Sequence, residues 1–192
     1  MTVRAVIVLV VSALLCSGAW SSSSCRRPPP ADGFTNAKYS GGPWFEIGKI
    51  QTFGGAFFEK NCVCTQLEFS ETNPANGDGQ VVNACRDQSP TGAWTNATGL
   101  LFNEAPVGSW QEKMQGYETS TANYTIISLG EDYAVEYDCT SSLGLTNYCI
   151  HVLSRTRTMD PALFNKLIQQ AEALDLNPEK LEVKMTKQEG CV

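Results

Sequence analysis

Hydrophobic and polar positions alternate in short segments between residues 44 and 156, and clusters of turn residues separate the segments. Asn73–Gly79 and Ser89–Gly92 are two such clusters. Eight short segments of this kind in series predict an antiparallel sandwich or barrel. The segments are Trp44–Ile50, Cys62–Ser70, Gln80–Arg86, Trp94–Phe102, Gly108–Tyr117, Asn123–Leu129, Tyr133–Cys139 and Leu145–Thr156.

A different periodicity follows the eighth segment. Asp160 is a residue type that often caps the N-terminus of a helix, and Pro161 suits the first helical position. The apolar residues that follow recur at the spacing of one helix face, which predicts a helix over about residues 160–175, packed on the outside of the sheet. Leu181–Met185 predicts a last short strand. The apolar face consists of Leu163, Phe164, Leu167, Ile168, Ala171 and Leu174.

Residues 1–19 have the pattern of an export signal. Arg4 precedes the short apolar run Ala5–Leu15, and the small residues Ser17–Ala19 offer a cleavage site. Residues 20–37, rich in serine and proline, predict a flexible and then extended lead-in, and residues 38–192 remain for one domain. No later stretch approaches the roughly 18 apolar residues that a transmembrane helix needs. We therefore expect a secreted, extracellular protein that is not integral to a membrane.

Removal of the signal leaves seven of the eight cysteines. In an exported chain they indicate disulfide bonds rather than metal ligands, and the odd number leaves at least one unpaired or bonded to another molecule. Sequons at Asn96 and Asn123 predict N-glycosylation in the same compartment. The chain has a net charge of −6 and scattered lysines and arginines, which argues against nucleic acid as a partner.

Several stretches of the chain resemble the lipocalin family. The similarity is greatest to the apolipoprotein D branch, which includes insect bilin-binding proteins and crustacyanin-type pigment carriers. It implies an all-β fold over residues 38–192: an eight-stranded antiparallel up-and-down β-barrel with one C-terminal α-helix packed on the outside. The chain departs from the family before the seventh strand, where a Thr-Asp-Tyr motif is missing. The resemblance is carried by Lys38–Ile50, Cys64–Ser70, Tyr133–Cys139, Val152–Arg155, Met159–Pro161 and Cys191.

The resemblance also indicates how one end of the barrel closes. Gly42 and Trp44 open the first strand, and Arg155 ends the last main strand. These two strands are neighbours in a closed barrel, so the Arg155 guanidinium can stack on the Trp44 indole. Such a cation–π contact contributes roughly 0.5–2 kcal/mol. We expect the barrel to be closed at this end and open at the other.

Two disulfides are implied by the resemblance, Cys25–Cys139 and Cys64–Cys191. Cys62 and Cys64 share a face of a regular strand, so we expect Cys62 to point outward with Cys64. A third bridge, Cys62–Cys85, is then geometrically plausible if the two Cα atoms lie within about 7 Å. Cys149 would be the free thiol.

His151 is the only histidine in the chain, and Cys149 lies two residues before it, on the same strand face. The resemblance places both in the lumen. Two interpretations stay open: a polar spot that binds or attaches a ligand, or a filled barrel with one hydrogen-bonded histidine. Phe57 and Phe58 flank the expected mouth of the barrel. They could form a lid, pack under the loop or contact a membrane. Resemblance and strand parity also assign Phe69, Asn83, Tyr124 and Tyr137 to the ligand-binding wall.

The resemblance implies a secreted carrier of a small hydrophobic ligand (a fatty acid, steroid, retinoid, bilin or carotenoid). We expect no metal and no cofactor other than a bound pigment or lipid. We expect no enzyme activity, because common catalytic motifs are missing. Two alternatives stay open: a prostaglandin-type isomerase with Cys62 or Cys64 as the reactive thiol, and a subunit of a pigment complex. The oligomeric state also stays open, and both homo-oligomers and hetero-oligomers are possible.

Overall fold

A computed structural model describes residues 24–56, 59–116 and 121–191. The predicted export signal and the first residues of the lead-in lie outside the described residues. Within them the chain forms two α-helices and nine β-strands. The elements are α1 (Asn36–Tyr39), β1 (Trp44–Gln51), β2 (Cys62–Asn73), β3 (Asp78–Asp87), β4 (Trp94–Glu104), β5 (Ser109–Met114), β6 (Ala122–Leu129), β7 (Tyr133–Ser142), β8 (Leu145–Ser154), α2 (Pro161–Ala173) and β9 (Lys184–Met185).

The first eight strands form a closed antiparallel barrel, the fold that the family resemblance implies. The strands β2 to β8 pair in chain order, β8 pairs with β1, and β1 pairs again with β2. The short strand β9 lies beside β1, opposite Gly48 and Lys49. Hairpin connections put the β2–β3, β4–β5 and β6–β7 turns at one end of the barrel and the other loops at the opposite end.

Helix α2 packs on the outer face of β7, β8 and β1. Asp160 caps it, because its Oδ1 accepts a hydrogen bond from the Leu163 amide at 2.9 Å. The buried face of α2 covers apolar residues that point out of the barrel, among them Val135 and Ile150. At Gly48 an added Cβ would lie 3.0 Å from the Phe164 ring, so glycine lets this ring lie on β1. The buried face consists of Phe164, Leu167, Ile168 and Ala171.

The barrel is closed at the end where β1 begins. The Arg155 guanidinium lies 3.5 Å from the centre of the Trp44 ring, and Tyr39 stacks on Trp44 with ring centres 5.6 Å apart. Arg155 also donates hydrogen bonds to the carbonyls of Gly42 and Tyr39, at 2.6 and 2.9 Å. An interior cluster of aromatic rings completes this closed end. Its rings are Phe34, Tyr39, Trp44, Phe69, Trp110 and Tyr124.

The seam between β1 and β2 has only two paired positions, Trp44 with Leu67 and Phe45 with Gln66. Beyond them the C-terminal tail, residues 186–191, lies along the seam. Gln188 Nε2 donates to the Glu46 carbonyl at 2.9 Å and to the Thr65 carbonyl at 2.7 Å. The tail therefore supplies the hydrogen bonds that a continuous β1–β2 ladder would make.

Three disulfides link the described residues, and Cys149 is buried and not disulfide-bonded. The expected outward orientation of Cys62 is wrong. Cys85 shares a face of β3 with Val81 and Asn83, which point inward. A bulge between Val63 and Gln66 interrupts the alternation of β2, so Cys62 and Cys64 do not share a face. The bridges are Cys25–Cys139, Cys62–Cys85 and Cys64–Cys191.

Candidate functional site

The open half of the barrel contains a cavity of about 120 Å³. The β1–β2 loop borders it with Gly54–Ala56, and the ends of β5, β6 and β7 border it with Met114, Ala122 and Thr140. The loop is fixed to β8, because Gly54 N donates to Asn147 Oδ1 at 3.1 Å. A side chain at Gly55 would collide with the Tyr148 carbonyl, so this close approach requires glycine. Loop and strands therefore hold one defined cavity.

Four carboxyl groups line this cavity: those of Glu59, Glu112, Glu136 and Asp138. Three of these residues are buried and Asp138 is half-buried. A buried carboxylate is costly unless a cation or a hydrogen-bond donor compensates it. The partners of each carboxyl group therefore decide what the cavity can bind.

His151 lies between two carboxylates. Its Nδ1 is 2.5 Å from Glu46 Oε2, and its Nε2 is 3.4 Å from Asp138 Oδ2. Burial lowers the pKa of His151, but the neighbouring Cys149, Asp138 and Glu46 raise it by more, so the net shift is upward. The imidazolium form is therefore favoured, with a carboxylate at each ring nitrogen.

Lys49 forms the second cationic centre of the interior. Its Nζ lies 2.7 Å from Glu59 Oε2 and 3.3 Å from Glu46 Oε1. Burial opposes the charge on Lys49, but Glu46 and Glu59 outweigh it and raise the pKa of the ammonium. Burial likewise opposes ionisation of Glu46, but Lys49 and His151 lower the pKa of its carboxyl to about 2. These ion pairs compensate Glu46 and Asp138. Lys49 compensates Glu59 only in part, because burial and the charge of Glu46 raise the pKa of the Glu59 carboxyl.

Glu112 and Glu136 have no cation of their own. Glu136 accepts a hydrogen bond from the Tyr124 hydroxyl at 2.7 Å, and Tyr124 is neutral. Burial raises the pKa of Glu136, the charge of His151 lowers it and the charge of Asp138 raises it. The resulting pKa is about 7. Glu112 is 8% exposed, and its side chain has no hydrogen-bond or ion-pair partner among the residues that the structure describes. Burial, followed by the charges of Asp138 and Glu136, raises its pKa well above the usual range.

Two sets of side chains in the described ranges have donor atoms close enough to hold a metal ion. Asp138, Cys149 and His151 form one set, and Glu46, Glu59 and His151 form the other, with donor atoms within 4.8 Å of one another. These donors already have partners: His151 binds Asp138 and Glu46, and Glu59 binds Lys49. Burial raises the pKa of the Cys149 thiol to about 12, so it is protonated near neutral pH and is neither a thiolate ligand nor a ready nucleophile.

The predicted ligand-binding residues fall into separate groups. Asn83 and His151 line the cavity, and Cys149 is buried beside His151. Phe69 and Tyr124 point into the barrel, but they fill its closed end. Phe57 and Phe58 lie outside the described residues.

The assignment of Tyr137 to the ligand-binding wall is wrong. Its neighbours Glu136 and Asp138 line the cavity, so strand alternation turns Tyr137 outward, where it packs in the cluster under α2. Because α2 covers this part of the outer surface, the outer face of β7 is apolar and the inner face is charged. An apolar side chain on this strand therefore does not indicate the lumen.

The motifs of the sequence do not predict the carboxyl groups of the cavity. Glu59, Glu112, Glu136 and Asp138 come from three separate stretches of the chain and form no motif together. For Glu112, and for Glu46 beside the cavity, the sequence does hold a signal: an acidic residue two positions after an aromatic residue that faces the interior. Glu46 follows Trp44 at this spacing, and Glu112 follows Trp110.

The two predicted glycosylation sites lie on the outside of the barrel. Asn96 is exposed on β4. Asn123 alternates with the inward-pointing Tyr124 on β6 and is half-buried, and its Oδ1 accepts a hydrogen bond from Gln111 Nε2 at 2.7 Å. Neither side chain faces the cavity.

The family sequence model of a lipocalin-like domain matches residues 36–186. This chain belongs to the lipocalin-like family. The fold of this lipocalin is also similar to the crystal structure of lobster apocrustacyanin A1, with a TM-score of 0.59 and 13% identity over 79% of this chain and 78% of that one. No curated protein sequence matches the chain significantly. None of its described helices combines the length and apolarity needed to cross a membrane.

Proposed function

We propose that this lipocalin is a secreted carrier that binds a small hydrophobic ligand in the open half of its barrel. The observation that carries the proposal is the asymmetry of the barrel, which is filled with aromatic rings at one end and hollow at the other. The hollow end also has apolar groups: Ala56, Met114 and Ala122 line the cavity. Burial of a ligand's apolar surface contributes roughly 25 cal/mol per Å² to binding.

The size of the cavity favours a ligand with one ring or a short chain. Cavities that bind drug-sized molecules measure about 300–1,000 Å³, and an engineered cavity of about 150 Å³ binds benzene. The cavity among the described residues has a volume of about 120 Å³. Phe53 and Leu143, in loops at the open end, are 94% and 99% exposed. These side chains give the entrance an apolar character.

Secretion is part of the same proposal. Three disulfides require an oxidising compartment, and Arg4 with the apolar run Ala5–Leu15 provides an export signal. N-terminal sequencing of the protein from culture medium should begin after Ala19. Retention of the whole chain inside the cell would contradict this part of the proposal.

The Cys25–Cys139 and Cys64–Cys191 pairs also support membership of the apolipoprotein D-like branch.

Titration with a one-ring apolar probe tests the binding proposal. We expect 4-fluorotoluene, observed by fluorine NMR, to bind the native protein. Met114→Trp fills the cavity and should weaken binding at least tenfold, whereas the matched Met185→Trp, on the exposed β9, should bind as the native protein does. Equal binding by both variants, or no binding by the native protein, would overturn the proposal.

The alternatives have less support. Cys62 and Cys64, the thiols considered for an isomerase, are both disulfide-bonded. A pigment-complex subunit is supported by a fold similarity alone. Native mass spectrometry with an absorbance spectrum of the protein from its source separates these cases. A visible chromophore and a multimeric mass would favour the pigment complex over the soluble carrier of a colourless ligand.

A further inference from the structure

The charges around the cavity are out of balance. Of the four carboxyl groups that line it, Glu59 is paired with Lys49 and Asp138 with His151. Among the described residues, Glu136 has only the neutral Tyr124 as a hydrogen-bond donor, and Glu112 has no partner. Among the described residues, His151 is the only cationic side chain that lines the cavity. Glu46 and Asp138 occupy its two ring nitrogens.

Glu112 is the residue that points to a ligand. A buried carboxyl group without a partner costs free energy, and such groups are uncommon in folded proteins unless something binds them. Its side chain is 8% exposed and lines the cavity. Glu112 lies on β5, and no basic residue of β4, β5 or β6 lines this space.

The Glu112 carboxyl borders the cavity from the β4 side, because its Oε1 lies over Gly99, where any side chain would collide with it. The partner of Glu112 across the β5–β6 ladder is Ala122, which also lines the cavity and has a short side chain. The next strand, β7, presents Glu136 and Asp138 to the same space. A cation in the cavity would therefore have the Glu112 carboxyl on the β4 side and the carboxyl groups of β7 on the other.

We propose that the ligand of this cavity is a small hydrophobic amine, whose ammonium group binds between Glu112 and Glu136 and whose apolar body lies against Met114 and Ala56. The proposal rests on the carrier function proposed above and adds the charge and chemical class of the ligand. A bound ammonium group favours the ionised forms of these two carboxyl groups, and hydrogen bonds between charged groups are the stronger kind. A carboxylate ligand would meet like charges in the same space.

A matched set of fluorinated probes tests this inference by calorimetry and fluorine NMR at pH 7.5. The set consists of 2-(4-fluorophenyl)ethylammonium, the neutral 2-(4-fluorophenyl)ethanol and the anionic 3-(4-fluorophenyl)propionate. We expect the ammonium to bind at least tenfold more tightly than the alcohol and the propionate to bind least. Equal affinity for ammonium and alcohol in the native protein would overturn the inference without any mutation.

Substitutions locate the binding group. Glu112→Gln keeps the shape of the side chain and should reduce ammonium affinity about tenfold while leaving alcohol affinity unchanged. Glu68→Gln is the matched control, because Glu68 is exposed on the outside of β2. Ala122→Leu should weaken both probes by filling the space. An ammonium affinity that Glu112→Gln does not change would contradict the assignment of the group.

Two further outcomes separate this inference from the carrier function. Binding of 4-fluorotoluene together with a failure of the ammonium probe to bind better than the alcohol would leave the carrier function standing and remove the amine. Tight binding of Zn²⁺ that depends on Glu112, with no binding of the ammonium, would make this an inorganic cation site and overturn the proposal.

Discussion

Arg155 stabilises the closed end through its hydrogen bonds as well as through its stack on Trp44. Its two terminal nitrogens donate to the carbonyls of Tyr39, Ser40, Gly42 and Pro43. These carbonyls belong to the turn that leads from α1 into β1. A planar guanidinium can stack and donate in several directions at once, which a lysine ammonium cannot do. The residue therefore holds the lead-in turn against the last strand of the barrel.

Arg155→Lys should lower the free energy of unfolding by about 1–2 kcal/mol, because it removes the planar stack and part of the hydrogen bonding. Urea unfolding measures this change. Arg86→Lys is the control: Arg86 stacks on the exposed Trp94 at 4.4 Å and should contribute about 0.5 kcal/mol or less. Equal effects of the two substitutions would mean that the closed end does not depend on Arg155.

Glu136 links the stability of the protein to pH. The pKa of Glu136 is raised to about 7 in the folded state, chiefly by burial, with Asp138 raising it and His151 and Tyr124 lowering it. Between the ordinary carboxyl pKa and this value the folded state binds more protons than the unfolded state, so stability falls as pH rises. Glu112 and His151, whose pKa values are also raised, act in the same direction.

Glu136→Gln should therefore flatten the pH dependence. Between pH 4 and pH 8 the native protein should lose about 3 kcal/mol more of its unfolding free energy than this variant does. Urea unfolding at the two pH values gives the comparison. Glu68→Gln, on the outer surface, should keep the native slope, and parallel slopes for native protein and Glu136→Gln would contradict the assignment.

At the scale of single elements, α2 decides which face of the neighbouring strands is apolar. Its buried side chains cover the outside of β7 and β8, where Val135, Tyr137 and Ile150 meet them. Burial of a large apolar side chain contributes roughly 1.5–3 kcal/mol, so these strands keep apolar residues on the face opposite to the lumen. The inner face is left for Glu136, Asp138 and His151.

Asp160→Ala tests the start of this helix. Loss of the side-chain bond to the Leu163 amide should lower the unfolding free energy by about 1 kcal/mol, and Asp160→Ser should restore most of it, because serine also caps helices well. Thermal and urea unfolding measure both variants. Binding of the apolar probe should stay unchanged in each, since α2 lies outside the barrel. An alanine variant as stable as the native protein would refute the capping role.

The strands and the long helix could be predicted from the sequence, because each carries its own periodicity. The predicted helix over residues 160–175 contains α2, and Trp44 begins the first strand as predicted. The carboxyl cluster could not be predicted, because its members come from separate strands and meet only when the barrel closes. Tyr137 was misplaced for a related reason: alternation tells which residues share a face but not which face is inside. The four-residue helix α1 is too short to leave a periodic pattern.

For the molecule as a whole, three disulfides and two sequons suit a protein that works outside the cell. Cys25–Cys139 and Cys64–Cys191 span 114 and 127 residues. Closing loops of this length stabilises the folded state by about 4–5 kcal/mol per bridge on chain-entropy grounds. Both bridges attach a terminal segment to the barrel, since one joins the lead-in to β7 and the other joins the tail to β2.

We expect glycans at Asn96 and Asn123 when the protein is secreted from animal cells. Enzymatic removal of N-glycans should lower the mass of the protein, and Asn96→Gln and Asn123→Gln should each remove one glycan. Asn61→Gln is the control, because Asn61 belongs to no sequon. A secreted protein whose mass does not change on deglycosylation would refute both sites.

Residues 186–191 make the β1–β2 seam a possible second opening of the barrel, besides the open end. The open end has no strand across it. Beside Glu46 the barrel wall is completed by the C-terminal tail rather than by pairing between β1 and β2. Proteolysis after Met185 together with reduction of Cys64–Cys191 would release this segment and expose Glu46 to water from the side. The ion pair with His151 would then be hydrated, and a bound molecule would gain a second way out.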